Sequence, residues 1–276
     1  MRRYQAPAKV NLSLHVHPPT GDGYHPLESM VQTLDWFDLL EVEEAEEWKL
    51  TVENAALDPD SNLVTKAFEA MGITRVSVRL VKNLPVAAGL GGGSSDGAAA
   101  LLAAANLRGD REALAGQAAR LGADVPLFLT GGTQMMMGKG EDLEPQEPLG
   151  GFAIGVVVPD IHLGTSEVYA RWDVMEGPEG ETPPRDALPP RLRDVMPLRN
   201  DLLPAALEVE PALGDFMADV RQTWGRPVLL TGSGPSCFGF FPSVDEASDA
   251  VLSIPGTRDA RGVELRDHGV SEISVA

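Results

Sequence analysis

The 276-residue chain contains one cysteine, Cys237, which rules out an intramolecular disulfide framework and any cysteine-rich metal site. Long apolar runs are missing too. Hydrophobic residues make up 43% of the chain, yet none of their runs approaches the roughly 20 residues that a membrane span needs. The start, Met1-Arg2-Arg3-Tyr4-Gln5-Ala6-Pro7, has no apolar stretch of the secretory type. Basic residues are few, 22 against 41 acidic ones, for a formal charge of −19. A field of that sign repels polyanions, so nucleic acid and anionic membrane surfaces are excluded as expected partners. These absences predict a soluble cytoplasmic protein. A small anionic ligand stays compatible with them if oriented backbone N–H groups and one or two chosen cations supply local positive character. Nothing in the sequence fixes an oligomeric state, and no internal repeat is visible.

The patterning is that of an α+β protein. Val10, Leu12, Leu14 and Val16 alternate with Lys9, Asn11, Ser13, His15 and His17, which predicts a strand with Lys9 and Asn11 on one polar face. Turn formers at 18–25 end it. Strands are expected at 29–34, 39–43, 48–52 and 76–80, with a helix over 62–71 closed by Gly72. Helices fit 97–105 and 111–121, the second again closed by a glycine, Gly122. From Phe152 the character changes: strands at 152–158, 228–231, 237–241 and 261–265 interleave with helices near 213–224 and 244–252. Residues 173–197, rich in proline, glycine and acid, read as loop. A boundary near Gly150-Gly151 divides the chain into 1–150 and 151–276.

The richest segment is Pro85-Val86-Ala87-Ala88-Gly89-Leu90-Gly91-Gly92-Gly93-Ser94-Ser95-Asp96, between a predicted strand and an Ala/Leu helix. Strand, glycine loop and helix together make a phosphate site. Glycines admit close backbone approach, and the helix N-terminus offers unpaired N–H groups and the positive end of its dipole. A flexible surface loop with capping serines would use the same residues, but three successive glycines lose ordering entropy without packing, which favours phosphate. The one Gly-Lys pair, Gly138-Lys139, is followed by Gly140, so there is no Walker A loop. The dinucleotide fingerprint fails at Ser94, and protein-kinase signatures are absent. Lys82 and Asn83, just ahead of the loop, read as surface residues or as local polar character. Asp96 reads as a complement to the helix dipole.

The segment from Pro85 to Asp96 resembles the central ATP-binding motif of the GHMP kinases, the family of galactokinase and the homoserine, mevalonate and phosphomevalonate kinases. Ala6-Pro7-Ala8-Lys9-Val10-Asn11-Leu12, Asp22-Gly23-Tyr24-His25, Leu121-Gly122-Ala123-Asp124-Val125-Pro126 and the late Thr231-Gly232-Ser233-Gly234-Pro235-Ser236-Cys237 keep that family's motif order over most of the chain. The Asp-Gly-Tyr-His and Gly-Ala-Asp-Val-Pro elements narrow the resemblance to a branch whose acceptor is a cytidine diphosphate derivative. Ala87 and Ala88 stand where other members often have glycine.

The resemblance implies a two-domain GHMP kinase fold: a ribosomal-protein-S5-like N-terminal domain, then a ferredoxin-like C-terminal domain, with substrates between them. It implies ATP as phosphoryl donor, cradled by residues 85–95, with Mg2+ whose ligands stay unassigned. By itself Asp124 reads as a helix N-cap and Lys9 as a solvated strand lysine. The resemblance instead implies that Asp124 accepts the acceptor's hydroxyl proton while Lys9 pairs with it and steadies negative charge. Likewise Tyr24 and His25, otherwise a polar hairpin tip, are implied to hold a cytosine, with Tyr169 as the second aromatic, Thr165 nearby and Asn11 toward the reacting end. Alternatives are a GHMP kinase for mevalonate-type, homoserine or sugar acceptors, and a member that binds nucleotide without turnover.

Overall fold

The computed structural model describes residues 1–21 and 23–274, so Asp22 of the Asp-Gly-Tyr-His element lies outside the described residues. The first half of the chain builds one mixed sheet from β1 (Arg2–Asn11), β2 (His15–Val16), β3 (Leu27–Glu44), β4 (Lys49–Glu53), β5 (Val76–Val81), β6 (Thr133–Gly138) and β7 (Asp142–Pro145). β3 is the spine. It pairs antiparallel with β1 along one edge, and with β6 and then β5 along the other. The alternation suggests two strands at 29–34 and 39–43, but the chain runs through as one. A register shift opposite Pro7 and Ala8 absorbs the interruption at Asp35 and Trp36.

Helices cover this sheet: α1 (Leu63–Ala70), α2 (Gly92–Arg108), α3 (Leu114–Leu121) and α4 (Val125–Thr130). Asn62 caps α1, accepting from the Val64 amide at 2.9 Å. α2 is buried nearly all round, and its small side chains, Ala98 to Ala100 and Ala103 to Ala105, let it sit deep against β1 and α1. It starts earlier than propensity suggests. Gly92 and Gly93 form its first turn, and Gly91, left-handed at φ 73°, is its N-cap.

The second sheet comprises β8 (Ala153–Pro159), β9 (Leu229–Leu230), β10 (Cys237–Phe241) and β11 (Thr257–Val263), in the order β11-β8-β10-β9. It packs with α5 (Thr165–Val174), α6 (Leu203–Val209), α7 (Pro211–Trp224) and α8 (Val244–Leu252). A last strand, β12 (Ser271–Ile273), returns to pair with β1. Between the sheets a further core joins Ala8, Val10 and Leu12 to Ile154, Val156 and Phe238. The acidic, proline-rich stretch is largely irregular as expected, with single 3₁₀ turns at Arg185–Ala187 and Pro190–Leu192. Its leucines 188, 192 and 198 are buried in the core between the sheets. Among the described residues, no helix is long and apolar enough to cross a membrane.

Candidate active site

β1 delivers Lys9 and Asn11 to the space between the two halves. Lys9 Nζ donates to Asn11 Oδ1 at 2.6 Å, so the shared polar face predicted from period two is present. The Lys9 amide donates to the Leu90 carbonyl at 3.0 Å, which ties the strand to the glycine loop. The late glycine segment closes on the same spot. The Asn11 amide donates to Thr231 Oγ1 at 3.0 Å, and a Cβ on Gly89 would stand 2.6 Å from the Thr231 carbonyl oxygen. At Gly89, with φ 77°, only glycine fits.

Asp124 occupies the N-cap position of α4, but its side chain makes no capping hydrogen bond. The carboxylate borders a cavity of about 910 Å³, together with Lys9, Asn11, Tyr24, His25, Gly89, Gly91, Thr165 and Tyr169. Nine residues implied by the resemblance thus meet in one space. Lys9 and Asp124 do not form the direct ion pair expected: the Lys9 ammonium bonds Asn11, and Asp124 acts on it only through its field. Burial pulls the Lys9 pKa down, with Asp124 opposing.

Residues Pro85 to Ser94 border a second cavity, of about 420 Å³, and Gly89 and Gly91 are shared between the two. A Cβ on Gly93 would meet nothing within 4 Å, so the first turn of α2 stands open with its amides unpaired by the helix. Ser95 differs: it is fully buried, borders neither cavity, and its hydroxyl has no partner among the described residues. Ala87 adopts φ 54°, a left-handed conformation that a Cβ disfavours by about 1–2 kcal/mol. Ala87→Gly should therefore raise folding stability by up to about 1 kcal/mol in urea titration. A fall in stability would show that the loop is not strained there.

Beneath the loop lies a group with no signature in the sequence. Lys82 Nζ contacts Asp38 Oδ2 and stands 2.6 Å from Asp96 Oδ2, and all three residues are buried. Asp38 Oδ1 also accepts from the amides of Asn83, at 2.6 Å, and Leu84, at 2.7 Å. Lys82 is therefore no surface residue, and Asp96 does more than complement a dipole. Burial pushes the Asp96 pKa well above its ordinary value; attraction to Lys82 opposes this and repulsion from Asp38 adds to it. Burial alone would lower the Lys82 pKa, but the charges of Asp96 and Asp38 raise it.

His25, which also borders the larger cavity, is buried, its ring stacked on Tyr169 with centroids 5.2 Å apart and edge-on to Trp172 at 5.4 Å. Its Nε2 lies 2.9 Å from Asp173 Oδ1. Tyr24 is exposed, with Lys139 Nζ 5.0 Å from its ring centroid. Burial raises the Tyr169 phenol to about 12, helped by Tyr24 and Asp124. Thr165 Oγ1 and Ser233 Oγ are 2.9 Å apart, joining α5 to the late glycine segment. Asp173 and Lys139 are absent from the sequence-based site. Recognising α5 would have exposed Asp173, which falls one helical turn after Tyr169.

A glycine loop opening a buried helix, a lysine on the first strand and a carboxylate at a helix start are gathered between two α+β halves, the arrangement that the resemblance to the GHMP kinases implies. Residues 62–132 match the family described as GHMP kinases N terminal domain. The chain is 40% identical to the 4-diphosphocytidyl-2-C-methyl-D-erythritol kinase of Paramagnetospirillum magneticum, over 93% of this chain and 94% of that one. It is 36% identical to the enzyme of that name from Ruegeria pomeroyi, over 93% and 97%. A crystal structure of 4-(cytidine 5'-diphospho)-2C-methyl-D-erythritol kinase superposes with a TM-score of 0.80 at 33% identity, covering 95% of this chain and 98% of the other. The chain belongs to the 4-diphosphocytidyl-2-C-methyl-D-erythritol kinase family.

Proposed function

We propose that the protein transfers the γ-phosphoryl group of ATP to the 2-hydroxyl of 4-diphosphocytidyl-2-C-methyl-D-erythritol, in the non-mevalonate isoprenoid pathway. The observation that carries this reading is the single cavity bordered by Lys9, Asp124, Gly89 and Gly91 of the glycine loop, His25 and the two tyrosines. In this reading residues 1–150 carry the nucleotide site, residues 151–276 complete the acceptor site, and the enzyme works in the cytoplasm.

The triphosphate lies along residues 85–94, where backbone amides and the start of α2 meet its charge. The fit is good: the first turn of α2 is open at Gly93, and the loop borders both cavities. Among the described residues, no group of three or more His, Cys, Asp or Glu side chains is placed to hold a metal ion. Mg2+ arriving with ATP would neutralise phosphate charge at this cavity, where Ser94 offers a hydroxyl. Asp124, unspent by capping, orients the acceptor hydroxyl and takes its proton as the bond to phosphorus forms. Lys9, held by Asn11, stabilises the negative charge that builds between donor and acceptor. Tyr24 and Tyr169 border the cytosine site, and Thr165 closes it beside Ser233.

A coupled ADP-release assay with the diphosphocytidyl substrate, mevalonate, homoserine and a sugar as acceptors tests the assignment. Efficient turnover of any of the last three, with no competition from CMP or CDP, would overturn it. Tyr24→Ala removes a stacking face worth on the order of 1–3 kcal/mol per base. It should raise KM for the cytidine substrate about tenfold or more, roughly 1.4 kcal/mol, and leave KM for ATP in place. An unchanged acceptor KM would take Tyr24 out of the base site.

A further inference from the structure

We propose that Asp173 is a positioning residue for His25, and that it makes the acceptor site read the exocyclic amine of cytosine. The inference rests on the acceptor assignment above and deepens it.

Asp173 Oδ1 lies 2.9 Å from His25 Nε2, and both residues border the larger cavity. An ionised carboxylate has only lone pairs to offer, so the shared hydrogen belongs to Nε2. The ring has little freedom to turn over. Tyr169 stacks on its face at an interplanar angle of 28°, and Trp172 meets it edge-on at 85°. Trp172 is itself fixed, its Nε1 donating to the Pro178 carbonyl at 3.1 Å. Asp173 stands in the last turn of α5, the negative end of the helix dipole, where a carboxylate is disfavoured. Its partner across the cavity wall accounts for its presence better than the helix does.

With Nε2–H committed to Asp173, Nδ1 of the neutral ring is an acceptor, and no described residue donates to it. Cytosine carries an amine donor at C4, whereas uracil carries a carbonyl acceptor in the same place. An acceptor fixed in the wall pairs with the first and repels the second. Stacking between aromatic rings accepts either base, so discrimination falls to this polar contact. Without Asp173 the imidazole can place its hydrogen on either nitrogen, and the wall no longer distinguishes the two bases.

The test measures kcat/KM for the cytidine acceptor and its uridine analogue in wild type, Asp173→Ala and Asp173→Asn. Nitrogen-15 NMR of His25 is recorded alongside. Asp173→Ala should lower the cytidine-over-uridine ratio roughly tenfold or more, through KM of the acceptor rather than kcat, with KM for ATP unmoved. Asp173→Asn keeps an oxygen acceptor and should recover most of the ratio. The wild-type ring should show the neutral Nε2–H tautomer, and the alanine variant a mixture. A ratio unchanged in Asp173→Ala, or a wild-type ring that is an imidazolium or an Nδ1–H tautomer, overturns the proposal while leaving the kinase assignment intact. Wild-type enzyme that phosphorylates the cytidine acceptor without preferring it also overturns the proposal, whereas enzyme that does not phosphorylate it at all overturns the acceptor assignment as well.

Discussion

Asp124→Ala should lower kcat by roughly 10²–10⁴, the usual range for losing a positioned proton acceptor, with the far-ultraviolet circular dichroism unchanged. The side chain makes no capping bond to α4, so its removal leaves the helix start no less satisfied than before. The loss is therefore catalytic rather than structural. Lys9→Ala should do similar damage, and the double variant should be little worse than either single one, because the two act on one proton and one developing charge. Lys9 is buried, and burial draws its pKa below the ordinary lysine value. The charged form is the one that stabilises phosphoryl charge, so kcat should fall on the alkaline side earlier than an exposed lysine would dictate. Near-normal turnover in Asp124→Ala would remove it from the mechanism. Fully additive losses would show that the two residues work separately.

Some of this site is legible in the sequence and some is not, and the difference is one of range. Lys9 and Asn11 can be placed together because they lie two residues apart on a strand, where alternation fixes the face. The cradle is legible because glycine loop, strand and helix are contiguous. The start of α2 is not, since Gly92 and Gly93 have poor helix propensity and are carried into the helix by its burial. Nor is α5, whose buried residues reduce to Val168 and Trp172 among polar neighbours. Without that helix, Asp173 belongs to an acidic loop and its place beside His25 has no signal. β3 joins what alternation divides, because pairing with β1 continues past the irregularity. That continuity sets Asp38 under the loop, where Lys82 and Asp96 arrive from separate elements.

That buried group supports the other large effect. Lys82→Met should lower folding stability by about 3–5 kcal/mol, the range for breaking a buried pair by removing one partner. Methionine fills similar volume, so the cost is that of two carboxylates left facing each other at almost zero exposure. Asp96 supplies a pH signature. Its pKa in the folded protein is already above the ordinary value, so the folded state holds this proton more tightly than the unfolded chain does. Such a group contributes its full stability below the ordinary carboxylate pKa and loses it as pH rises through the raised one. Without Lys82 the attraction that opposes the rise is gone, so the deficit of Lys82→Met should grow from acid toward neutral pH. Adding Asp96→Asn removes one of the two carboxylates, and the double variant should regain part of the lost stability at neutral pH. In the wild-type background the same change leaves Lys82 and Asp38 matched one to one, and should flatten the fall in stability toward alkaline pH. Urea titrations of the four proteins across pH decide the matter. A Lys82→Met deficit that is the same in acid and at neutral pH, and that Asp96→Asn does not relieve, would mean that the lysine is held there for its packing and not for its charge.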